Sequence, residues 1–336
     1  MLKIKNILIP FDFSDCSFQA LSHAIFLARR YKSKIHMLYA ITQNHVINTF
    51  SGEVLALNHT SSLIKQAQVE MSTIINSYNA DDIDIEKVPI LAISPETMIL
   101  EYASMFDIDL IVIGTHGRRG LGRLLLGSIA EDIVRLAICP VLTIRQNAEP
   151  MPAKILNDLL VPIDFSPESL LALSYAVNMA KMYGAKINML HVIERPIYPL
   201  FPVNQKDIAG FPFDLFLSPK LKMEQWISYL TNIEMVSEIQ VLEGKPSSVI
   251  VEVANKYNVD RIVMGTKGLT GIKHTLLGSV TEHVIRTATC PVFFVKHLAK
   301  QITTIIDKSS EHLHTQTNAE QAFLSNQAIY NLPLAS

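Results

Sequence analysis

The stretch GTHGRRGLGRLLLGS, Gly114 to Ser128, follows the apolar run LIVI and leads into a segment with helical periodicity. It contains five glycines and three arginines but no carboxylate. A second stretch, GTKGLTGIKHTLLGS from Gly265 to Ser279, keeps the spacing Gly-x2-Gly-x9-Gly-Ser and changes most other positions. A buried strand, a glycine loop and a helix in succession are typical of parallel α/β proteins. The two stretches therefore predict the same α/β unit twice.

The rest of the chain confirms that the sequence is duplicated. The segment NILIPFDFSDCS at Asn6 returns as DLLVPIDFSPES at Asp158, an offset of 152, and IVIGTHG at Ile111 returns as IVMGTKG at Ile262, an offset of 151. Such a repeat indicates two copies of one domain. We predict a first domain at 1–146, a linker at 147–154, a second domain at 155–298 and a polar tail at 299–336.

Within each copy, short apolar runs alternate with helical periodicities. This pattern predicts a doubly wound α/β domain with a five-stranded parallel sheet and about four helices. Ser14 and Ser166 are predicted to cap the first helix of each copy, and Pro167 suits the first helical position. The apolar last strands, VLTI and VFFV, are expected to pair with each other because an exposed apolar edge invites strand pairing.

The composition of the chain argues against several classes of function. The formal net charge of the 336 residues is −2, with 29 Lys and Arg against 31 Asp and Glu, so the chain has no global field for nucleic acid or an anionic membrane. No apolar run reaches the length of a bilayer span, which favours a soluble, cytoplasmic protein. Three cysteines without a C-x-x-C pair are expected to be reduced thiols.

The glycine loops have the features of a phosphate site. Ligands of open parallel sheets bind beyond the carboxyl ends of the strands, and each loop leaves its strand at such an end. Glycine lets backbone N–H groups approach an anion, and a helix N-terminus attracts phosphate. The candidate residues of the two copies are Gly114, Gly117, Gly127 and Ser128, then Gly265, Gly268, Gly278 and Ser279. The loops add basic side chains at Arg118, Arg119, Arg123, Lys267, Lys273 and His274.

Simpler explanations remain open for these residues. Ser128 with Glu131, and Ser279 with Glu282, have the spacing of capping boxes, which would make Gly-Ser only a good helix start. Asp12 and Asp164 follow the first strand of each copy. Each carboxylate could accept from a nucleoside hydroxyl, hold a metal ion or cap the following helix.

Taken together, these motifs resemble the universal stress protein family in its tandem form. The resemblance rests on the PxDFS start, the IVIGTHG and IVMGTKG segments, the glycine spacing and the CPV before each last strand. It implies an adenine-nucleotide alpha hydrolase-like fold, ATP binding and pairing of the last strands as an intrachain pseudo-dimer, with a further homodimer left open. It also implies adenine-side contacts and phosphate contacts in each copy. The residues that these contacts would involve are Pro10, Phe11, Asp12, Ala40, Gly117, Gly127, Ser128 and Ile129 in copy one, and Pro162, Ile163, Asp164, Val192, Met264, Gly268, Gly278, Ser279 and Val280 in copy two.

The sequence leaves three functional hypotheses open. We favour a stress-response protein that binds ATP, with or without Mg²⁺, and acts by signalling or protein interaction. The first alternative is a slow ATPase or nucleotidyl-transferring enzyme, but the chain has no Walker G-x-x-x-x-G-K-[ST] run and no H-E-x-x-H pair. One carboxylate per site without a partner base predicts weak ATP hydrolysis at most, so no catalytic residue is assigned. The eleven histidines lack ligand spacing, so no metal site is assigned. The second alternative is a chaperone-like protein with vestigial sites. The aromatic insertion at 195–219 suits a lid, a partner surface or, more simply, a segment that packs over its own domain.

Overall fold

The computed structural model describes residues 3–42, 57–115, 127–145, 156–194, 214–230, 235–266 and 277–296. The interior of both glycine loops, residues 195–213 of the aromatic insertion and the tail at 299–336 lie outside the described residues. The predictions for Gly117, Gly268 and the basic loop side chains therefore also fall outside them.

Strands and helices alternate along the described residues, as the sequence predicts. The strands are β1 (Asn6–Pro10), β2 (Lys34–Ile41), β3 (Ile85–Leu91), β4 (Leu110–Gly114), β5 (Val141–Ile144), β6 (Asp158–Pro162), β7 (Lys186–Ile193), β8 (Val236–Glu243), β9 (Arg261–Gly265) and β10 (Val292–Val295). The helices are α1 (Asp15–Tyr31), α2 (Leu57–Ser77), α3 (Pro95–Met105), α4 (Ser128–Leu136), α5 (Pro167–Tyr183), α6 (Asp214–Leu230), α7 (Pro246–Lys256) and α8 (Ser279–Thr287).

The ten strands that the structure describes form one sheet, in the order β3-β2-β1-β4-β5-β10-β9-β6-β7-β8. Each half has the doubly wound order 3-2-1-4-5 with parallel neighbours, which confirms the predicted fold class. The two halves join through an antiparallel pair of β5 and β10, in which Thr143 lies opposite Val292 and Val141 opposite Phe294. The predicted pairing of VLTI with VFFV is therefore confirmed.

The apolar core is continuous between the halves. One cluster of buried side chains includes Ile133 of α4 and Val141 of β5, and continues into Ile262 of β9, Val284 of α8 and Phe294 of β10. The strands at the centre of the sheet are buried on both faces, which explains their predominantly apolar sequences. The halves therefore share their hydrophobic core in addition to their sheet.

Polar contacts across the same junction are almost symmetric. The guanidinium of Arg145, just after β5, donates to the carbonyls of Ala288 at 2.8 Å and Arg286 at 2.6 Å, at the end of α8. Its counterpart in the repeat, Lys296, donates from Nζ to the carbonyl of Arg135 at 2.9 Å, near the end of α4. Cations at helix C-termini satisfy carbonyls that lack intrahelical partners and complement the helix dipole. Each half thus caps the last helix of the other.

The cysteines agree with a further prediction. Cys16, Cys139 and Cys290 are all free thiols. Burial raises the pKa of Cys139 to about 12 and that of Cys290 to about 11, which keeps both protonated and poorly nucleophilic at neutral pH. Among the helices that the structure describes, none combines the length and the apolar character that a bilayer crossing requires.

Candidate functional site

A strained turn follows the first strand of each half. Phe13 and Phe165 both have φ of 63°, a left-handed conformation that is unfavourable for a non-glycine residue. In copy one, Asp12 Oδ1 accepts from the backbone N–H of Ser14 at 3.0 Å and from its hydroxyl at 2.5 Å. Asp164 makes the same two contacts with Ser166, at 3.0 and 2.6 Å. The turn is therefore built identically twice, and strain of this kind often accompanies a functional site.

The serines, rather than the aspartates, cap the helices that follow. Ser14 Oγ accepts from the N–H of Ser17 at 3.3 Å, and Ser166 Oγ accepts from the N–H of Ser169 at 3.1 Å. The predicted caps at Ser14 and Ser166 are confirmed, as is Pro167 in the first turn. The alternative in which Asp12 and Asp164 cap these helices is wrong. Each aspartate holds the capping serine in place.

Both ends of each glycine loop are anchored at the carboxyl end of the same strand. Gly127, at the end of the first loop, donates its N–H to the carbonyl of Thr115 at 2.8 Å. Thr115 in turn donates its N–H to the carbonyl of Ile144 on β5 at 2.9 Å. The second copy repeats the closure, with Gly278 donating to the carbonyl of Thr266 at 3.2 Å. The N-termini of α4 and α8 are thereby fixed beside the ends of β4 and β9.

The capping boxes predicted at Ser128 and Ser279 are wrong. The N-cap residues are Gly127, with φ −66° and ψ 132°, and Gly278, with φ −63° and ψ 142°, so each serine is the first residue inside its helix. Neither cap has a side-chain hydrogen bond. The reason is the loop closure, because it fixes each glycine as the residue that turns the chain into the helix. The first N–H groups of α4 and α8 are therefore left uncapped by any side chain of the N-cap residue.

The remaining predicted site residues are gathered at the same edge of the sheet, but several point into the core. The N–H of Phe11 donates to the carbonyl of Leu38 at 2.8 Å, and that of Ile163 donates to the carbonyl of Leu190 at the same distance. The side chains of Phe11, Ile163 and Met264 are buried.

The other predicted residues lie at the ends of strands or in the first turn of a helix. Pro10 and Pro162 end β1 and β6, while Ala40 and Val192 lie near the ends of β2 and β7. Ile129 of α4 and Val280 of α8 occupy the second helical position, where Ile129 is 36% exposed.

Gly114 and Gly265 are the last residues of β4 and β9. For Gly114 the structure shows a packing requirement. A Cβ at this position would lie 2.6 Å from the Cβ of Cys16 and 2.8 Å from its carbonyl carbon. The first turn of α1 therefore crosses β4 at a distance that only glycine permits. The role of Gly114 in ligand binding stays a prediction.

We expect the substitution Gly114→Ala to lower the free energy of unfolding by about 2 kcal/mol, since α1 must move away from β4 to admit the methyl group. The matched control is Gly184→Ala. Gly184 has φ of 71°, but no atom lies within 4 Å of the place that a methyl group would occupy, so this change costs about 1 kcal/mol from backbone strain alone. Urea denaturation of both variants gives the comparison. Equal losses for the two variants would contradict the close approach of α1.

The surroundings of the strained phenylalanine differ between the halves. In copy one, the ring of Phe13 contacts Tyr39 with 4.8 Å between centroids. In copy two, Phe165 contacts His191 at 4.8 Å and Trp226 at 5.4 Å, and the ammonium group of Lys222 lies 5.6 Å from its centroid. Sequence reasoning missed Trp226 and Lys222, because α6 begins within the variable insertion and shares no motif with copy one. Copy two therefore adds an indole and a cation beside the turn.

These observations establish the structural class of the protein. The protein is a duplicated doubly wound α/β protein in which two helix N-termini are fixed at the carboxyl edge of the sheet. A family model described as the universal stress protein family matches residues 3–145 and again 156–296. The chain therefore belongs to the universal stress protein family, in tandem form.

Individual relatives agree with this assignment. A universal stress protein of Methanocaldococcus jannaschii is 34% identical over 168 residues, which are 47% of this chain and 91% of the relative. A universal stress protein of Mycobacterium tuberculosis is 29% identical over 196 residues, 56% of this chain and 62% of the relative. Among solved structures, a universal stress protein of Archaeoglobus fulgidus has a TM-score of 0.60 at 22% identity, covering 88% of this chain and 99% of that one. The last similarity supports the fold alone.

Proposed function

We propose that each half of the protein binds an adenine nucleotide, with ATP as the ligand, and that the protein acts in the cytoplasmic stress response through nucleotide-dependent signalling or protein interaction. Membership of the universal stress protein family supports the stress-response role. One observation carries the nucleotide proposal. In both halves a helix N-terminus whose N-cap glycine supplies no side-chain cap is held by the loop closure at the carboxyl end of a central strand.

The phosphates would bind at this helix end. A helix N-terminus has a partial positive charge and N–H groups without intrahelical partners, and both favour a phosphate group. Gly127 and Gly278 present no side chain between the ligand and these N–H groups. Ser128 in copy one and Ser279 in copy two occupy the first helical position, and each adds one hydroxyl donor to its site. This part of the proposal extends to the loop glycines Gly117 and Gly268, which lie outside the described residues.

The nucleoside would lie toward the ends of β1 and β2 in copy one and β6 and β7 in copy two. Asp12 and Asp164 would accept hydrogen bonds from ribose hydroxyls, and the backbone beside Ala40 and Val192 would face the adenine. Among the described residues no group of three or more His, Cys, Asp or Glu side chains is arranged to hold a metal ion. Any Mg²⁺ in this proposal would therefore enter with the ATP phosphates, which supply its main oxygen ligands.

Isothermal titration calorimetry of the full chain tests the proposal. We expect ATP to bind with two sites per chain, one in each half. Inorganic triphosphate should compete for both sites because it offers the same anionic groups, whereas adenosine alone should bind more weakly than ATP. If ATP produces no saturable heat and the freshly purified protein contains no nucleotide by mass spectrometry, the proposal is wrong.

The single tryptophan of the chain can report on copy two. Trp226 contacts Phe165, which belongs to the strained turn beside Asp164. We expect ATP to change the fluorescence of Trp226 with the affinity of the copy-two site only, because no other tryptophan exists in the sequence. The variant Gly127→Asp, which alters copy one, should leave this change intact. Saturation by calorimetry without any change in emission would place the nucleoside away from the Phe165 turn.

A further inference from the structure

A buried arginine lies far from the glycine loops, at the start of β9. Arg261 is 1% exposed and is the first residue of the strand, at the opposite end from Gly265. Ile262 and Met264 belong to the core cluster shared with α8, so strand alternation directs Arg261 to the opposite face, on which α5 packs. The corresponding residue in copy one is Leu110, which is also fully buried. The arginine is therefore a feature of copy two alone.

One edge of the Arg261 guanidinium lacks the hydrogen-bond partners that a buried cation requires. Among the residues that the structure describes, neither Nε nor Nη2 of Arg261 has a hydrogen-bond partner. These two nitrogens form one edge of the guanidinium and donate in parallel, which is the geometry that binds an anion through two hydrogen bonds. The hydroxyl of Tyr183, at the end of α5, is also buried without a partner in the described part of the chain. Buried polar groups of native proteins are nearly always satisfied, by protein, water or an ion.

A further cation, Arg30, and a carboxylate, Asp260, lie near these groups. Arg30 lies with its guanidinium carbon 5.8 Å from the ring centroid of Tyr183 and donates to the carbonyl of Met182. Burial raises the pKa of Tyr31 and Tyr183, so both phenols are neutral donors. The adjacent acid, Asp260, uses Oδ2 to accept from the backbone N–H groups of Asn157 and Asp158, at 2.7 and 2.9 Å. The guanidinium of Arg261 stays charged even where burial lowers its pKa.

We propose that a small inorganic anion of chloride size binds the Nε and Nη2 edge of Arg261 beside the hydroxyl of Tyr183, where α1 of one half meets α5 of the other. A water molecule would satisfy these donors but would leave, among the described residues, two cations, Arg261 and Arg30, against the single carboxylate of Asp260, and an uncompensated buried charge is strongly unfavourable. The anion supplies both the hydrogen-bond acceptor and the opposite charge. The site stabilises the contact between the halves and is independent of the nucleotide sites.

Thermal unfolding of the full chain tests this site, with sodium chloride exchanged for sodium gluconate at constant ionic strength. Above the dissociation constant, each tenfold increase in chloride should raise the midpoint by about 2 °C for a folded unit of this size. Arg261→Leu introduces the residue of copy one and should abolish the dependence on chloride. Tyr183→Phe keeps the aromatic ring but removes the hydroxyl, and it should weaken the dependence of the unfolding midpoint on chloride. The matched control is Arg29→Leu, which removes an exposed arginine paired with Asp82 and should leave the dependence unchanged.

Two results would overturn the proposal. An unfolding midpoint of the unaltered protein that is equal in chloride and in gluconate shows that no anion binds, and this measurement needs no variant. A chloride dependence that persists in full in Tyr183→Phe and in Arg261→Leu places the anion elsewhere. Bromide introduced into crystals should appear in an anomalous difference map beside Nε and Nη2 of Arg261, and a water molecule at that position would also contradict the proposal.

Discussion

The substitution Phe294→Ala should lower the free energy of unfolding by about 4 kcal/mol, the typical cost of removing a buried aromatic ring. Phe294 is 0% exposed and lies on β10, which pairs with β5 of the first half and β9 of the second. Its ring belongs to the core cluster that both halves share. The cavity therefore weakens the junction between the halves as well as the packing within copy two. Urea denaturation followed by circular dichroism measures the loss.

Phe106→Ala is the matched control for this prediction. Phe106 is 42% exposed, so the same change of side chain should cost less than half as much. Because the sheet and the core continue from one half to the other, we also expect a single unfolding transition for residues 3–296 in the unaltered protein. Two separate transitions, of which Phe294→Ala shifts only the one that belongs to the second half of the chain, would show that the halves unfold independently.

Much of the fold could be predicted because its signals are local and occur twice. Apolar runs such as NILIP and LIVIG correspond to strands that are buried in the centre of the sheet, and the serines at Ser14 and Ser166 correspond to helix caps. The pairing of β5 with β10 was predictable from the apolar character of two edge strands. In these cases the sequence pattern and the physical requirement involve the same few residues.

The site was less predictable where distant residues decide the local structure. The capping-box spacing at Ser128 is correct as a pattern, but the bond from Gly127 to Thr115 moves the helix start by one residue. The proximity of Trp226 to Phe165 depends on how α6 packs. Arg261 gave a signal that was visible in the repeat, since a cation replaces Leu110 within an otherwise apolar strand. Its meaning depends on tyrosines that the fold brings from α1 and α5.

The variant Gly278→Asp should weaken ATP binding in copy two about a hundredfold while leaving the protein equally or slightly more stable. Gly278 is an N-cap with φ −63° and ψ 142°, a conformation that any residue can adopt. Aspartate is a better N-cap than glycine, by a few tenths of a kcal/mol, because its carboxylate accepts from the first N–H groups of the helix. Those are the N–H groups that the phosphates require. Losing two charge-assisted bonds at about 1.5 kcal/mol each gives the hundredfold change.

The opposite directions of these two effects make the experiment decisive. A variant that merely damages the fold loses stability and binding together, whereas Gly278→Asp should lose binding alone. Gly278→Asn occupies the same N–H groups without the negative charge, so it should weaken binding less than Gly278→Asp. Gly127→Asp should weaken ATP binding in copy one in the same way. Calorimetry measures ATP binding at both sites, and the fluorescence of Trp226 reports binding at copy two only, so the two measurements together distinguish the copies. Unchanged ATP affinity in the double variant Gly127→Asp with Gly278→Asp would mean that neither helix N-terminus binds phosphate.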